Sequence, residues 1–313
     1  MLDQQSDYRN FCALHRADLP VFFQDWYLDA VCTDGEWGVA TVHHHGEIVG
    51  VWPWFHKTKW GFRYLTLPPF TKYLGPWILP TYSDHRWRLR WTEELVEQLP
   101  RVHAIKTNCP YQFNNWLPLY WAGFQQTTRY SYQLNLQSGL DTLYAGVNRN
   151  IRRNIKSAQQ LLHIKPCDDP KLFYRINALS FRRQGIDPPY TYGQFLQHFE
   201  SIVANQAGYF YQAADAQKNV HSVACVIRDQ QRAYYHLSGD DPALRNSGSG
   251  ILMVWEGIRW ATEEEQLPTF DFEGSMIRSV GAIRRQFGAS PIPYSQVWRY
   301  DSRLFALIDY LRQ

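Results

Sequence analysis

Two carboxylates close to the end of a predicted strand are the side chains best suited to acid–base chemistry. Asp271 and Glu273 lie in the run TFDFEG, and the period-two geometry of a strand predicts that both point to one face. A carboxylate there could deprotonate an attacking amine. Ligands of open α/β sheets collect at the carboxyl ends of strands, so Glu273 is the stronger candidate for the base. The structural alternative is that these carboxylates cap the next helix or pair with Arg278, Arg284 or Arg285.

A glycine-rich segment follows one predicted strand and opens a predicted helix. This segment, the glycine loop, consists of Arg245, Asn246, Ser247, Gly248, Ser249 and Gly250. Glycines let backbone N–H groups approach an anion closely, and a helix N-terminus supplies unpaired donors with a partial positive charge. We therefore interpret the loop as a pyrophosphate cradle. A plain helix start, capped by Asn246 or Ser247, is the structural alternative.

A third group of charged side chains lies on the predicted helix that opens the second half. Three- and four-residue spacings place these side chains in one stripe, the basic stripe, opposite the apolar face of the helix. Its members are Arg149, Arg152, Arg153 and Lys156. Such a stripe could contact the phosphates of CoA or of tRNA. A solvated helix face is the more usual explanation of a run of charges, and it is the interpretation we favour.

Composition limits the classes of protein to which the chain can belong. Its 313 residues carry a formal net charge of +3, which is too small to indicate nucleic-acid or membrane binding by the whole chain. The five cysteines are odd in number and scattered, which argues against a disulfide framework and against a zinc site. We therefore predict a reducing, cytoplasmic compartment. The three histidines at 43–45 alternate in direction along a strand, so we predict no metal site. No pattern of a signal peptide or a membrane span is found in the sequence.

The elements that must position these residues follow a repeated order. In the first half, the residue patterns predict a hairpin that turns at His45–Gly46 and a helix that begins at Ser83. In the second half, they predict one long helix over residues 142–163, followed by strands. The matching order of helices and strands predicts a duplicated α/β fold. We place the joint near residue 138. Two domains, residues 1–138 and 139–313, would then enclose a cleft, with the chemistry in the second.

Three segments, in this order, resemble one branch of a known superfamily. They are NRNIRRNIKSA, YYHLSGDDPALRNSGSG and FDFEGSMIRSVGAIRRQFGA. The spacing Arg-x-x-Gly-x-Gly after a strand resembles the acyl-CoA loop of the GNAT superfamily, and the combination resembles its FemAB-like and CelD-like branch, which carries two GNAT domains. These segments lie in the second half, and the first half matches in element order alone. The resemblance implies an α/β fold with an α+β mixed sheet and two tandem GNAT-like domains.

The resemblance also implies an N-acyltransferase that moves an acyl group from acetyl-CoA or another acyl-CoA to an amine of a small molecule or peptide. The glycine loop would hold the CoA pyrophosphate, and backbone N–H groups near Leu237 and Ser238 would hold the oxyanion. His236 is a further catalytic candidate, although a lone histidine on a strand is more often structural. Many GNAT enzymes carry a tyrosine acid in the helix after the carboxylate strand. This sequence has none there, and Tyr294, on the last predicted strand, is the nearest candidate.

Two other functions stay open at this point. Members of the same branch include aminoacyl transferases that use charged tRNA as the donor and a peptide or peptidoglycan precursor as the acceptor. The absence of a tyrosine after the carboxylate strand favours a third interpretation, a non-catalytic ligand-binding module with a GNAT-like fold. A monomer and a homodimer are both compatible with the sequence.

Overall fold

The computed structural model describes residues 2–82, 84–274 and 276–311. Ser83, the predicted start of a helix, lies outside the described residues. That helix begins at His85, and the Asp84 carboxylate caps it by accepting the Arg86 backbone N–H at 2.8 Å. Within the described ranges, no helix combines the length and the apolar character that crossing a membrane requires.

Helices and strands alternate along the described chain. The helices are α1 Leu2–Leu14, α2 Asp25–Val31, α3 His85–Glu97, α4 Leu117–Trp121, α5 Leu140–Gly146, α6 Arg149–Leu161, α7 Pro170–Arg182, α8 Tyr192–Ala204, α9 Ser249–Arg259, α10 Arg278–Gln286 and α11 Arg303–Tyr310. The strands are β1 Glu36–His44, β2 Glu47–Lys59, β3 Phe62–Thr66, β4 Trp77–Ile78, β5 Ala104–Asn108, β6 Gln125–Asn135, β7 His163–Pro166, β8 Gly208–Ala214, β9 Val220–Arg228, β10 Ala233–Asp240, β11 Thr269–Asp271 and β12 Ser290–Tyr300.

The chain divides into two compact units at positions that differ from the predicted joint. Residues 1–129 together with residues 293–313 form the first unit, and residues 130–292 form the second. The C-terminal segment joins the first unit because β12 pairs antiparallel with β5, from Gln296 opposite Asn108 to Tyr300 opposite Ala104. A division after residue 138 takes no account of this return of the chain, because pairing between distant strands leaves no local signal in the sequence.

The first unit is built on strands in the order β1-β2-β3-β5-β12. The predicted hairpin is confirmed: β1 pairs with β2, and His45 and Gly46 turn the chain with φ values of 52° and 88°. The ring of His44 lies within the aromatic cluster of Trp87 and Trp91. Part of the predicted loop over residues 67–80 is a strand, because β4 pairs with β2.

The second unit is built on strands in the order β6-β11-β10-β9-β8-β7. Neighbouring residues of β8 show how helices cover both faces, because successive side chains of a strand point to opposite sides. Tyr211 donates its hydroxyl hydrogen to the Met253 carbonyl of α9 at 2.6 Å. Phe210 packs against Phe173 of α7 and Phe199 of α8. The sheet is therefore enclosed by α9 on one side and by α7 and α8 on the other.

The long helix predicted over residues 142–163 is two helices. Val147 has an extended backbone, and Asn148 begins α6 by accepting the Asn150 N–H at 2.9 Å. Asparagine is a strong helix-capping residue, and here its side chain caps the start of α6, while the extended Val147 ends α5. The apolar face of α6 is buried at Ile151, Ile155 and Ala158, as the pattern predicts. The basic stripe lies on the opposite side of this helix.

Candidate functional site

The second unit has a split in its sheet between β10 and β11. These two strands pair in parallel at Ala233 with Phe270 and at Tyr234 with Asp271. Beyond that point β11 ends, whereas β10 continues to Asp240 alongside β9. A bulge in β10 inserts His236 between Tyr235 and Leu237, so its pairing with β9 shifts by one residue. The bulge directs the side chain of His236 into the opening.

Three polar side chains, joined in a row by hydrogen bonds, line this opening. His236 Nδ1 is 2.9 Å from Glu273 Oε1, and His236 Nε2 is 3.0 Å from Nε2 of His198 on α8. The side chain of His236 is 2% exposed and that of Glu273 is 17% exposed, so the carboxylate is the solvent-accessible end. Glu273 is therefore the member that an incoming molecule can reach, and the two histidines support it from within.

The hydrogen bonds that join Glu273, His236 and His198 restrict where the protons of these side chains lie. An ionised Glu273 carboxylate only accepts, so it favours a proton on His236 Nδ1. The two Nε2 atoms then share one proton, because a close N···N contact needs one donor and one acceptor. The pKa of His198 lies well below its usual range, mainly because the ring is buried and secondly because His236 is close to it. His198 is therefore neutral near neutral pH.

Asp271 and Glu273 do not share a face, contrary to the alternation that the sequence predicts. The strand ends at Asp271, and Glu273 and Gly274 have φ values of 53° and 80°, in the left-handed region. Asp271 is fully buried, and its carboxylate accepts from Gln133, from Ser131 and from the Glu273 backbone N–H, the last at 2.8 Å. Asp271 thus holds the turn that aims Glu273 at His236.

Two of the three arginines that could have paired with these carboxylates contact aromatic rings instead. The guanidinium of Arg284 lies 5.3 Å from the centroid of Tyr235 and 5.0 Å from that of Phe272. Burial lowers its pKa from the ordinary range. Arg285 donates to the Tyr132 hydroxyl at 2.8 Å. Arg278 is exposed at the start of α10.

The glycine loop follows β10 and begins α9. A 3₁₀ turn, Pro242–Ser247, leads to Gly248, which has a φ of 76° and is the residue immediately before the helix. The N-cap residue is therefore Gly248, and neither Asn246 nor Ser247. Glycine adopts this left-handed conformation at the least cost. A Cβ on Gly250 would meet no atom within 4 Å, so open space lies in front of the first turn of α9.

Arg245 fastens the loop to the end of β10. Its Nε is 2.5 Å from Asp240 Oδ2, and Arg183, the residue that follows α7, donates to the same oxygen at 2.9 Å. The Arg245 side chain remains 54% exposed. Its charge is thus shared between an ion pair within the protein and the solvent in front of the loop.

One of the two predicted oxyanion donors is turned toward the opening. Asn177 of α7 donates to the Ser238 carbonyl at 2.8 Å, so the backbone polar groups of Ser238 face away from β9. Consecutive residues of an antiparallel strand alternate in this respect, so the N–H of Leu237 faces β9. Ser238 is therefore the better oxyanion donor. The approach of α7 is close, since a Cβ on Gly239 would lie 2.3 Å from the Asn177 Cα.

The basic stripe does not face the glycine loop. α6 approaches the loop through Asn154 and Ala158, because the Asn154 carbonyl and the Ala158 Cβ are each 3.6 Å from the position of a Cβ on Gly248. With 3.6 residues per turn, Arg149, Arg152, Arg153 and Lys156 centre about 150° around the helix from Asn154. Tyr294, the tyrosine candidate, belongs to the first unit, where its ring contacts Tyr111 and lies beneath the Lys72 ammonium.

Comparisons with known proteins find one matching domain family and several solved structures of similar fold. Residues 145–278 match the family model of the acetyltransferase (GNAT) domain. The chain is similar to the crystal structure of FemX, with a TM-score of 0.68 and 11% identity over 94% of this chain and 95% of the other. It is also similar to a tandem GNAT protein from the clavulanic acid biosynthesis pathway, with a TM-score of 0.57 and 12% identity over 95% of this chain and 94% of the other. This chain has the fold of a tandem GNAT protein.

A third solved structure has the same fold. It is the C-terminal domain of a putative lysylphosphatidylglycerol synthetase from Agrobacterium fabrum, with a TM-score of 0.58 and 8% identity over 98% of this chain and 95% of the other. A search of the curated proteins finds no match to this sequence. At these identities the similarity establishes the fold, and the predicted mixed α/β fold of tandem GNAT domains is confirmed.

The site contains two residues that no pattern in the sequence singled out. His198 and Asn177 lie on separate helices and reach β10 through long-range packing. Their sequence surroundings, QHFE and INAL, carry no motif. A buried polar side chain in the apolar stripe of an amphipathic helix is the one signal that could have identified either residue, because such groups need a partner.

Burial of His198 predicts a dependence of stability on pH. The unfolded chain takes up a proton on this histidine near its ordinary pKa of 6.5, whereas the folded protein keeps the ring neutral. The unfolded state then binds more protons, so the free energy of unfolding falls below that pH, by up to about 1.4 kcal/mol per unit. We expect His198→Gln to flatten this slope in urea titrations between pH 7.5 and 5. The exposed His163→Gln is the control, and equal slopes in all three proteins would contradict the assignment.

Proposed function

We propose that the second unit is an N-acyltransferase that moves an acyl group from acyl-CoA to an amine acceptor. The observation that carries this proposal is the course of β10. Its bulge sets His236 against Glu273 at the split in the sheet, and the same strand then leads directly to the glycine loop and the N-terminus of α9. One strand thus carries the histidine that contacts the base and leads to the phosphate-binding segment, an arrangement that fits a thioester donor extending from its pyrophosphate toward the split.

The glycine loop supplies the donor-binding end. The first N–H groups of α9 have no carbonyl partner within the helix, and the helix dipole adds a partial positive charge there. The pyrophosphate would lie on the backbone of residues 246–250. The space in front of Gly250 admits a phosphate group to these donors.

Glu273 and Ser238 supply the reacting end. An amine is mostly protonated at neutral pH, so Glu273 removes its proton before the nitrogen attacks the thioester carbonyl. The Ser238 N–H stabilises the oxyanion that forms. Attack forms the C–N bond, and collapse of the tetrahedral intermediate restores the carbonyl and breaks the C–S bond. The nitrogen loses its second proton, and the CoA thiolate that leaves takes up a proton. His236 holds the Glu273 carboxylate in position through its Nδ1–H.

The role of the glycine loop can be tested at Gly250. The Cβ of a valine at this position would have no atom within 4 Å, and its methyl groups would extend into the open space, so we expect Gly250→Val to fold normally and to weaken CoA binding at least tenfold. Gly248 is unsuitable because its φ of 76° would strain any other residue. Calorimetric titration with CoA measures the effect. The control is Gly193→Val, which has the same position in the first turn of α8. Unchanged CoA affinity in a folded Gly250→Val variant would place the donor elsewhere.

The role of the base can be tested at Glu273. Glu273→Gln keeps the shape of the side chain and removes its basicity, so we expect turnover to fall about 100-fold or more while CoA affinity stays within twofold. Steady-state assays with acetyl-CoA and longer acyl-CoAs against a panel of amines measure the change. Glu200→Gln, an exposed position on α8, is the control. A protein that binds CoA but turns over no acyl-CoA, with or without the substitution, would favour the ligand-binding module.

Aminoacyl transfer from charged tRNA is the second candidate function. The observation that favours it is the exposed basic stripe, which points away from the glycine loop and could contact an extended polyanion that CoA does not provide. A similar fold occurs in FemX and in the putative lysylphosphatidylglycerol synthetase.

Salt dependence separates the two donors. If tRNA is the donor, its affinity falls steeply with salt, and Arg152→Gln with Arg153→Gln reduces the logarithmic slope by about one for each phosphate that the protein no longer neutralises. The same double variant should leave CoA affinity unchanged. Binding of tRNA that is weak and equal in both proteins would remove this candidate and leave the stripe as a solvated face.

A further inference from the structure

A second hydrogen-bonded histidine lies beside the glycine loop, separate from the His198–His236–Glu273 chain. His221, on β9, is 7% exposed. Its Nδ1 is 3.0 Å from Ser247 Oγ, and its Nε2 is 3.2 Å from Asp215 Oδ2. Ser247 belongs to the glycine loop, and Asp215 lies in the turn between β8 and β9. The acyl-transfer chemistry described above uses none of these three side chains.

The hydrogen bonds around His221 fix its protons. The Ser247 hydroxyl donates to the Leu244 carbonyl at 2.8 Å, so its oxygen is left to accept from His221. The Asp215 carboxylate accepts from the backbone and side-chain N–H groups of Asn219 at 2.8 and 2.9 Å. The Asn219 side chain, with His221, lowers the pKa of Asp215 to about 2, which keeps this carboxylate ionised. With acceptors on both sides, His221 satisfies all these contacts only as an imidazolium with both nitrogens protonated.

This arrangement holds the loop where it turns into α9. Ser247 precedes Gly248, and its Oγ faces the Ser249 N–H at 3.4 Å. On the other side of Gly248, the Ser249 hydroxyl is 2.6 Å from that of Ser222, the residue after His221 on β9. Two neighbouring residues of one strand therefore fix both sides of the glycine. Other charged groups beside the loop are Asp240, with which both Arg183 and Arg245 pair, and Asp241, which caps the 3₁₀ turn.

We propose that Asp215, His221 and Ser247 form a clamp in which a His221 imidazolium keeps the glycine loop in its anion-binding shape. His221 is then a positioning residue for the acyl-CoA phosphates, and this role rests on the function proposed above. The His221 Nδ1–H donates to a lone pair of Ser247 Oγ. The Ser247 hydroxyl can therefore rotate its hydrogen from the Leu244 carbonyl to a phosphate oxygen while the hydrogen bond from His221 is kept. The clamp acts on donor affinity and leaves the chemistry at Glu273 untouched.

The charge state of His221 can be measured without any ligand. In ¹⁵N-labelled full-length protein at pH 7, long-range ¹H–¹⁵N spectra should show both ring nitrogens of His221 in the imidazolium range, assigned by their disappearance in His221→Asn. Asp215→Asn should shift one nitrogen toward the neutral range. A neutral wild-type ring with its proton on Nε2 would overturn the clamp, because Ser247 would then donate to the ring. Labelling of Ser247 by a fluorophosphonate would overturn it for the same reason.

The effect on the loop is measured by CoA titration and steady-state kinetics of variants. We expect His221→Phe, which keeps a ring but no donors, to raise the Kd for CoA about tenfold, as expected when a charge-assisted hydrogen bond is removed. His221→Asn carries an amide donor close to the position of Nδ1 and should recover part of this affinity. The value of kcat at saturating acyl-CoA should stay within twofold, a separation that general destabilisation would not produce. His163→Phe, at an exposed position, is the control.

The outcomes separate the clamp from the function on which it rests. Equal CoA affinity in wild type, His221→Phe and Asp215→Asn would overturn the positioning role and leave the proposed acyltransferase standing. Failure of the wild-type protein to bind CoA would overturn both the proposed function and the role of the clamp in it, whereas the nitrogen spectra would still report the imidazolium. If His221→Phe does not fold, Asp215→Asn gives the same test from a surface turn.

Discussion

The extra residue that His236 inserts into β10 is the feature on which the second unit depends. Without this bulge, β10 would continue in register beside β9, and His236 would point elsewhere. With it, the histidine reaches Glu273 on one side and His198 on the other. The cost is a short stretch of broken pairing. Asn177 offsets part of that cost by binding the carbonyl that the split leaves without a strand partner.

The site is held from beneath by buried polar groups that an acceptor or donor would not touch. Asp271 accepts three hydrogen bonds and fixes the backbone N–H of Glu273, which adopts a left-handed conformation costing roughly 1–3 kcal/mol for a residue with a side chain. A carboxylate held in this way keeps its direction when the site is empty. Little reorganisation is then required as the reaction begins, which is the condition under which electrostatic stabilisation is most effective.

Local patterns in the sequence predict the helices, the strands and the glycine loop. Contacts between residues distant in the sequence determine where some elements end and which side chains meet in the site. The hairpin at His45–Gly46 and the amphipathic face of α6 follow from turn chemistry and periodicity. Periodicity does not reveal the break at Asn148, because the apolar spacing continues through a residue that caps a helix. Alternation puts Asp271 and Glu273 on one face because it assumes a strand, and the strand ends between them. The pairing of His236 with His198 joins residues 38 positions apart, beyond the range of any local pattern.

The close approach of α7 to β10 has a consequence for the behaviour of the protein in a crowded solution. A strand that extends past its neighbour presents a row of free backbone groups, and such edges recruit strands from other molecules. Here Asn177 and Ser180 occupy the Ser238 carbonyl and the Asp240 N–H, and Gly239 lets the helix lie directly against the strand. The helix that occupies these backbone groups therefore shields this edge of β10 from pairing with a strand of another molecule.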